Sequence, residues 1–477
     1  MKLVFEQGVP GRQAISFKHS MLECKATLSE RYKRKRLNLP CLSELDVVRH
    51  FTRLSQQNFS VDTHFYPLGS CTMKYNPKVN EELASLQGFT HIHPYQPQET
   101  VQGALQLMFM LQQYLCELTG MHAITLQPAA GAHGELTGNM IIRAFFRSKG
   151  EHRDTIIVPD SSHGTNPASS ALCGFKVVTV KSDKRGNIDL SELDKVLDDN
   201  VAGLMLTNPN TLGLHDENVL EANKMVHDAG GLTYCDGANL NALMGIATPA
   251  AMGFDIIQLN LHKTFSAPHG GGGPGSGPVG VCIKLAPYLP RPAVVRKGDE
   301  YVLEINGNEK SIGRVKAYYG NFLVMVKAFA YIRALGAEGL KKATELAVVN
   351  ANYLRAKLSK YYKLPYKRIC KHEFVLSDEG FPNGVTTADI AKRLLDYGFH
   401  APTVYFPLIV KGALMIEPTE TESKQTLDEF IETMIKIKEE AKNQPELVKH
   451  APHNLSVARL DAVRAARNPI LRWQGES

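Results

Sequence analysis

With 477 residues, of which 43% are hydrophobic and 21% charged, the chain can bury a large core and should hold two or more domains rather than stay disordered. No apolar run reaches the roughly 18 residues of a membrane-spanning helix and no signal-peptide core opens the chain, which argues against membrane and secreted classes. The net charge of +6 is modest, so nucleic-acid binding would rest on one basic run, Arg31-Tyr32-Lys33-Arg34-Lys35-Arg36, which reads more simply as a solvated, subunit-facing arm.

Residues 1–95 read as an irregular N-terminal arm containing a helical stretch over Glu44–Leu54 and a Gly- and Pro-bearing loop over Tyr66–Pro77. A large domain is expected over 96–330. It begins with an amphipathic helix (Val101, Leu105, Met108, Leu111, Leu115, Leu118) that stops at Gly120. The turn Gln127-Pro128-Ala129-Ala130-Gly131-Ala132-His133-Gly134-Glu135 then opens into another helix. Free N–H groups at Gly131, Ala132 and His133, with the positive end of the helix dipole, make an anion site, although many helices start in a glycine turn.

Strands and helices alternate from there, with strands at 155–158, 176–180, 201–206, 232–235 and 256–259 and helical patterns at 190–197 and 219–227. This spacing predicts an open, mostly parallel α/β sheet, whose ligands sit at the carboxyl edge of the strands. Four residues fall on that edge. His163 follows the first strand, either as a flat ring for stacking or as polar surface. Asn208 follows the third, as a hydrogen-bond donor or as part of an Asn-Pro turn. Asp236 follows the fourth, as a functional carboxylate or a helix cap. Lys263 follows the fifth, flanked by His262 and Thr264, and then comes the tract Gly270, Gly271, Gly272, Gly273, Gly275 and Gly277. Lysine is rarely buried, so its place at a strand end is either snorkelling or chemistry. The tract lacks the Gly-Lys-Ser/Thr ending of a nucleotide loop. A smaller C-terminal domain is expected over 331–477, starting from a helical stretch through Tyr331, Leu335 and Leu340.

An ordered trio of anion turn, Asp236 and Lys263 has one demanding use, which is pyridoxal 5'-phosphate. Lys263 would carry its aldehyde as a Schiff base, and Asp236 would keep the pyridine nitrogen protonated so that the ring accepts electrons. Ala238 would pack on one ring face and His163 on the other, Asn208 would donate to the ring hydroxyl, and His262 and Thr264 would reach the phosphate. Eight scattered cysteines with no Cys-x-x-Cys pair fit reduced thiols in the cytoplasm. Histidines show no metal-ligand spacing, so no metal is expected.

The motifs Gly-Ala-His-Gly-Glu (131–135), Ser-His-Gly-Thr-Asn-Pro-Ala-Ser (162–169), Cys-Asp-Gly-Ala-Asn (235–239) and Leu-His-Lys-Thr-Phe (261–265) resemble the P-protein of the glycine cleavage system, and most of all the pyridoxal-phosphate-bearing subunit 2 of its two-subunit form. The resemblance extends to Tyr66–Pro77, Met415–Glu422 and Arg464–Arg467, and so covers nearly the whole chain. It implies an aspartate-aminotransferase-like (fold type I) architecture, with a mostly parallel sheet in the large domain and a smaller C-terminal α+β domain. It implies decarboxylation of glycine at Lys263 and His163, with transfer of the aminomethyl group to the lipoyl arm of H-protein. It further implies a paralogous subunit 1 and a tetramer of two of each. The Pro- and Gly-rich loops of the arm need a surface to pack on, which makes Tyr66–Pro77 the candidate segment for closing a neighbouring active site. Aminotransferases, cysteine desulfurases and amino-acid decarboxylases share the sheet-edge constellation, and the terminal motifs separate them from this family. A carrier-binding subunit without catalysis is disfavoured by the intact Asp236 and Lys263.

Overall fold

Alternation along the strands sends side chains to both faces of the central sheet, and both faces are covered. Ile157, Leu204, Leu206, Cys235 and Ile257 pack with Leu111, Leu115 and Val226 in one core, while Ile156, Val158, Met205, Tyr234 and Ile256 pack with Ile141, Ile142, Phe145 and Phe146 in another. The computed structural model describes residues 2–15, 28–34, 39–270, 273, 275–305 and 309–472. Cys24, Lys35 and Arg36 of the basic run, and Gly271 and Gly272 of the glycine tract lie outside the described residues.

The sheet has seven strands: β1 (Ala123–Thr125), β2 (Thr155–Pro159), β3 (Lys176–Val180), β4 (Val201–Thr207), β5 (Leu232–Gly237), β6 (Ile256–Leu259) and β7 (Val279–Val281), in the order β1-β7-β6-β5-β4-β2-β3. Pairings from β3 through β6 are parallel, and only β7 runs antiparallel to its neighbours. The five expected strands form as read. The three-residue strands β1 and β7 are too short to leave a period in the sequence. The amphipathic helix spans Gln102–Thr119 and ends at Gly120, whose φ of 73° is the left-handed cap that glycine adopts freely. A hairpin, β8 (Ala293–Lys297) and β9 (Glu300–Glu304), follows the sheet.

The helical segment Phe322–Leu358, broken in φ/ψ at Gly336, leads to a three-stranded antiparallel sheet of β10 (Phe374–Ser377), β11 (Thr403–Val404) and β12 (Ala413–Ile416), in the order β10-β12-β11. Helices Thr387–Asp396 and Lys424–Asn443 cover it through Leu394, Phe430 and Met434, giving an α+β layer with its own core.

The backbone divides into two units, residues 1–60 with 452–477, and residues 61–451. The breaks expected near residues 95 and 330 both fall inside the second unit. In the first, helix Glu44–Gln56 starts at a Ser43/Asp46 capping box, and Arg12 pairs with Asp46 at 2.9 Å. Among the described residues no helix is long and apolar enough to cross a membrane.

Candidate active site

Strands β5 and β6 are in register with Asp236 opposite Gln258, and this pairing builds the centre of the site. Asp236 is buried at the carboxyl end of β5, and four donors converge on it. Gln258 Nε2 donates to Oδ1 at 2.6 Å and the Ala238 N–H at 3.0 Å, while Asn166 Nδ2 and Thr207 Oγ1 each reach Oδ2 at 3.4 Å. A carboxylate, which only accepts, suits that donor set. The chain leaves β6, turns through Asn260–Thr264 and presents the half-buried Lys263, whose Nζ donates to the Ser70 carbonyl at 2.8 Å.

Between these two residues lies a cavity of about 240 Å³, lined in part by Gly131, Ala132, His163, Asp236, Ala238 and Lys263. The structure therefore brings these six expected residues together with His262, which also lines the cavity. His262 Nδ1 accepts the Ser276 N–H at 3.2 Å, and burial with the neighbouring His269 and Lys263 pushes its imidazole down to about 3, so the ring is neutral. His163 Nδ1 lies 2.7 Å from Thr165 Oγ1, which donates to Glu135 Oε1 at 2.8 Å. Burial lowers the His163 pKa. Burial, reinforced by the charge of Asp236, pushes the Glu135 carboxyl up to about 8.

Three expected residues are not part of the cavity lining. Asn208 is turned to its own loop, where Oδ1 accepts the Asp216 N–H at 3.0 Å and Nδ2 meets Met252 Sδ at 3.5 Å. Thr207 and Thr211 face the cavity instead. His133 Nδ1 accepts the Ala129 N–H at 3.1 Å, so its side chain braces the turn. Thr264 is fully buried, with its carbonyl taken by Lys74 and its hydroxyl unpartnered.

Sequence reading missed Ser70, Glu135, Thr165, Gln258 and Asn260, all of which line the cavity. Gln258 carried one signal, a polar residue inside the strand Ile256–Leu259, whose every position is buried. The Tyr66–Pro77 segment, the candidate for closing a neighbouring site, brings the Ser70 carbonyl to Lys263 of its own chain. The cause is a buried anchor. Lys74 pairs with Glu420 at 2.8 Å, meets Tyr331 Oη at 3.0 Å and donates to the Thr264 carbonyl at 2.7 Å, while Asn76 Nδ2 donates to the Ser266 carbonyl at 2.9 Å.

The residues present fit pyridoxal phosphate. Helix Gly131–Ser148 has no side-chain cap at Ala130 among the described residues, and Gly131 and Ala132 of its first turn line the cavity. Backbone crowds this turn, since a Cβ on Gly277 would lie 1.9 Å from the Ala130 carbonyl oxygen. Asn260 Oδ1 and Ser276 Oγ are buried without hydrogen-bond partners among the described residues. An amine, an opposed carboxylate and an open helix N-terminus thus share one cavity.

A family model described as glycine dehydrogenase, C-terminal domain, matches residues 343–457, and one described as aminotransferase class-V matches residues 133–272. The protein from Caldanaerobacter subterraneus subsp. tengcongensis named "Probable glycine dehydrogenase (decarboxylating) subunit 2" is 60% identical over 477 residues, covering 99% of this chain and 98% of its own. A relative of the same name from Desulforamulus reducens is 57% identical over 484 residues, covering 99% of each. Among solved structures, glycine decarboxylase (P-protein) of the glycine cleavage system in inhibitor-bound form superposes with a TM-score of 0.73 at 24% identity, over 86% of this chain and 93% of that one. A cysteine desulfurase from Thermococcus onnurineus gives 0.61 at 16% identity, over 79% and 95%. At such identities these superpositions speak for the fold alone, which is that of aminotransferase-like, fold type I enzymes.

Proposed function

The chain belongs to the family of glycine dehydrogenase (decarboxylating) subunit 2, and from that premise we propose that Lys263 and Asp236 are the working pair of its active site. The chain is an enzyme of the glycine cleavage system that decarboxylates glycine with pyridoxal 5'-phosphate. The observation that carries the residue assignment is the convergence of these two side chains, from adjacent parallel strands, on one cavity beside an open helix N-terminus.

In this reading Lys263 Nζ would be the amine that holds the cofactor and the base beside it. When bound, pyridoxal phosphate supplies an aldehyde for amine attachment and a ring that accepts the electron pair left by departing carbon dioxide. Asp236 would face the pyridine nitrogen and keep a proton there, and its four donors fix the carboxylate in place. His163, tied to Thr165, covers one ring face and Ala238 the other. The N–H groups of Gly131, Ala132 and His133 receive the phosphate.

The aminomethyl group goes to the lipoyl arm of H-protein, and a paralogous subunit 1 completes a tetramer of two of each. These partners rest on the "subunit 2" of the relatives' names and on the motif resemblance. We place the reaction in the cytoplasm, in keeping with cysteines that are free at every described position.

Borohydride reduction of the purified yellow protein, followed by peptide mapping, should put the adduct on Lys263. An adduct on Lys74 or Lys316 would overturn the assignment. Carboxyl exchange between labelled bicarbonate and glycine, with each component left out in turn, tests the partners. The chain alone should exchange poorly, and subunit 1 with lipoylated H-protein should restore the reaction.

A further inference from the structure

Behind Lys263 lie three buried side chains to which the reading above gives no role. His372 and Glu373 immediately precede β10, and Glu417 immediately follows β12. All three are fully buried. The antiparallel register Phe374↔Ile416 brings the two ends together, so that one nitrogen or oxygen from each residue lies within 4.8 Å of the others.

Their partners are few and one-sided. Glu417 accepts the Thr72 N–H at 3.0 Å, Thr72 Oγ1 at 2.7 Å and Asn241 Nδ2 at 3.3 Å. Glu373 accepts only the Ser70 N–H, through Oε2 at 2.7 Å. Among the described residues its Oε1 has no hydrogen-bond partner, lying 3.6 Å from His372 Nε2, and neither ring nitrogen of His372 has one. Two ionised carboxylates cannot share so dry a space, so one of them is protonated. Charge belongs where the donors are, on Glu417, and the proton on Glu373 Oε1, where it faces the lone pair of a neutral imidazole. The electrostatics run the same way. Burial, with the charge of Glu417, holds Glu373 far above the ordinary carboxylate range, burial raises Glu417 to about 7, both against the opposing charge of Lys263, and burial with Lys263 drops His372 to about 3.

The turn that the two glutamates grip is strained. Ser70 and Thr72 hold φ of 66° and 50°, left-handed values that non-glycine residues rarely keep without outside constraint. Ser70 also provides the carbonyl that accepts from Lys263 Nζ at 2.8 Å. We propose that Glu373 and Glu417 are positioning residues for Lys263: with His372 they hold one proton between them and pin the Ser70–Thr72 turn, whose carbonyl orients the lysine amine. The proposal rests on Lys263 being the reactive lysine. It links the C-terminal sheet to the active lysine of the central sheet.

An isosteric pair of variants separates a neutral Glu373 from a charged Glu417. Glutamine imitates a protonated carboxyl, so Glu373→Gln should leave the turn intact and Glu417→Gln should loosen it. The readout is the acylation rate of Lys263 in the full-length chain freed of cofactor, followed by peptide mass spectrometry with other lysines as internal controls. Glu373→Gln should stay within about two-fold of the parent, while Glu417→Gln should change the Lys263 rate by about ten-fold with the control lysines unmoved, the scale of losing a hydrogen bond to a buried charge. If Glu417→Gln does not fold, Thr72→Val, which deletes only the hydroxyl given to Glu417, should give the same shift and Thr72→Ser should reverse it. Equal behaviour of the two glutamine variants, or an unchanged Lys263 rate in Thr72→Val, overturns the proposal. So does a stoichiometric metal found in the purified chain by elemental analysis, because a cation would replace the shared proton. Failure of borohydride to mark Lys263 would instead remove the reading beneath it, and that experiment is separate.

Discussion

Gln258 donates to Asp236 Oδ1 at 2.6 Å from the facing position of the next strand, the shortest of the four hydrogen bonds that fix this carboxylate. The bond ties the orientation of Asp236 to the sheet itself rather than to a loop. Asp236→Asn keeps the size and removes the charge proposed to face the pyridine nitrogen. Carboxyl exchange should fall by the equivalent of several kcal/mol of transition-state stabilisation, on the order of a hundred-fold or more. Borohydride should still trap the cofactor on Lys263. Near-normal exchange would mean that another group holds the ring nitrogen.

Glu135 makes stability depend on pH in a defined direction. Its carboxyl is raised to about 8 by burial and by Asp236, so the folded state keeps a proton that the unfolded chain releases near the ordinary value of 4.5. Between those two values the native state binds more protons, and stability contributed by this group is lost as pH rises. Cofactor-free Glu135→Gln should lack that part of the slope, a difference on the order of a few kcal/mol by pH 8. Denaturant titrations at pH 5 and pH 8 measure it, and parallel pH profiles of parent and variant would count against a protonated Glu135.

Lys74 anchors the Tyr66–Pro77 segment, and its buried ammonium is held by the Glu420 carboxylate, Tyr331 Oη and the Thr264 carbonyl. Lys74→Met should destabilise the chain by about 3–5 kcal/mol, because Glu420 is stranded. Adding Glu420→Gln should recover much of the loss. A double variant no more stable than Lys74→Met would show that packing, not the ion pair, matters at this position.

Gly277 leaves room for the turn that starts the helix Gly131–Ser148. Gly277→Ala would place a methyl group 1.9 Å from the Ala130 carbonyl oxygen, and backbone on both sides has to move. Affinity for pyridoxal phosphate should drop by about ten-fold or more as the N–H groups lose their aim. Equilibrium titration with the cofactor reads it directly. Unchanged affinity would place the phosphate elsewhere.

Local chemistry settles much of this protein without any tertiary contact. Buried runs such as Ile256–Leu259, and the regular return of strand after helix, are written in side-chain polarity and spacing, so the mostly parallel sheet follows from them. Asp236, Lys263, His163 and the Gly131 turn were legible because each sits at the end of such a run, and parallel strands put those ends on one edge. Tertiary structure alone decided which neighbours meet there. Asn208 stands at a strand end like the others, yet its side chain closes its own loop on Asp216. Ser70 lies 193 positions from Lys263 and meets it through tertiary anchors, among them Lys74 buried against Glu420 and the Ser70 N–H held by Glu373. Glu373 and Glu417 come together only through the antiparallel register of β10 and β12. Periodicity marks which face a residue takes within its own element, whereas contacts between distant elements depend on register and burial, which one segment does not encode.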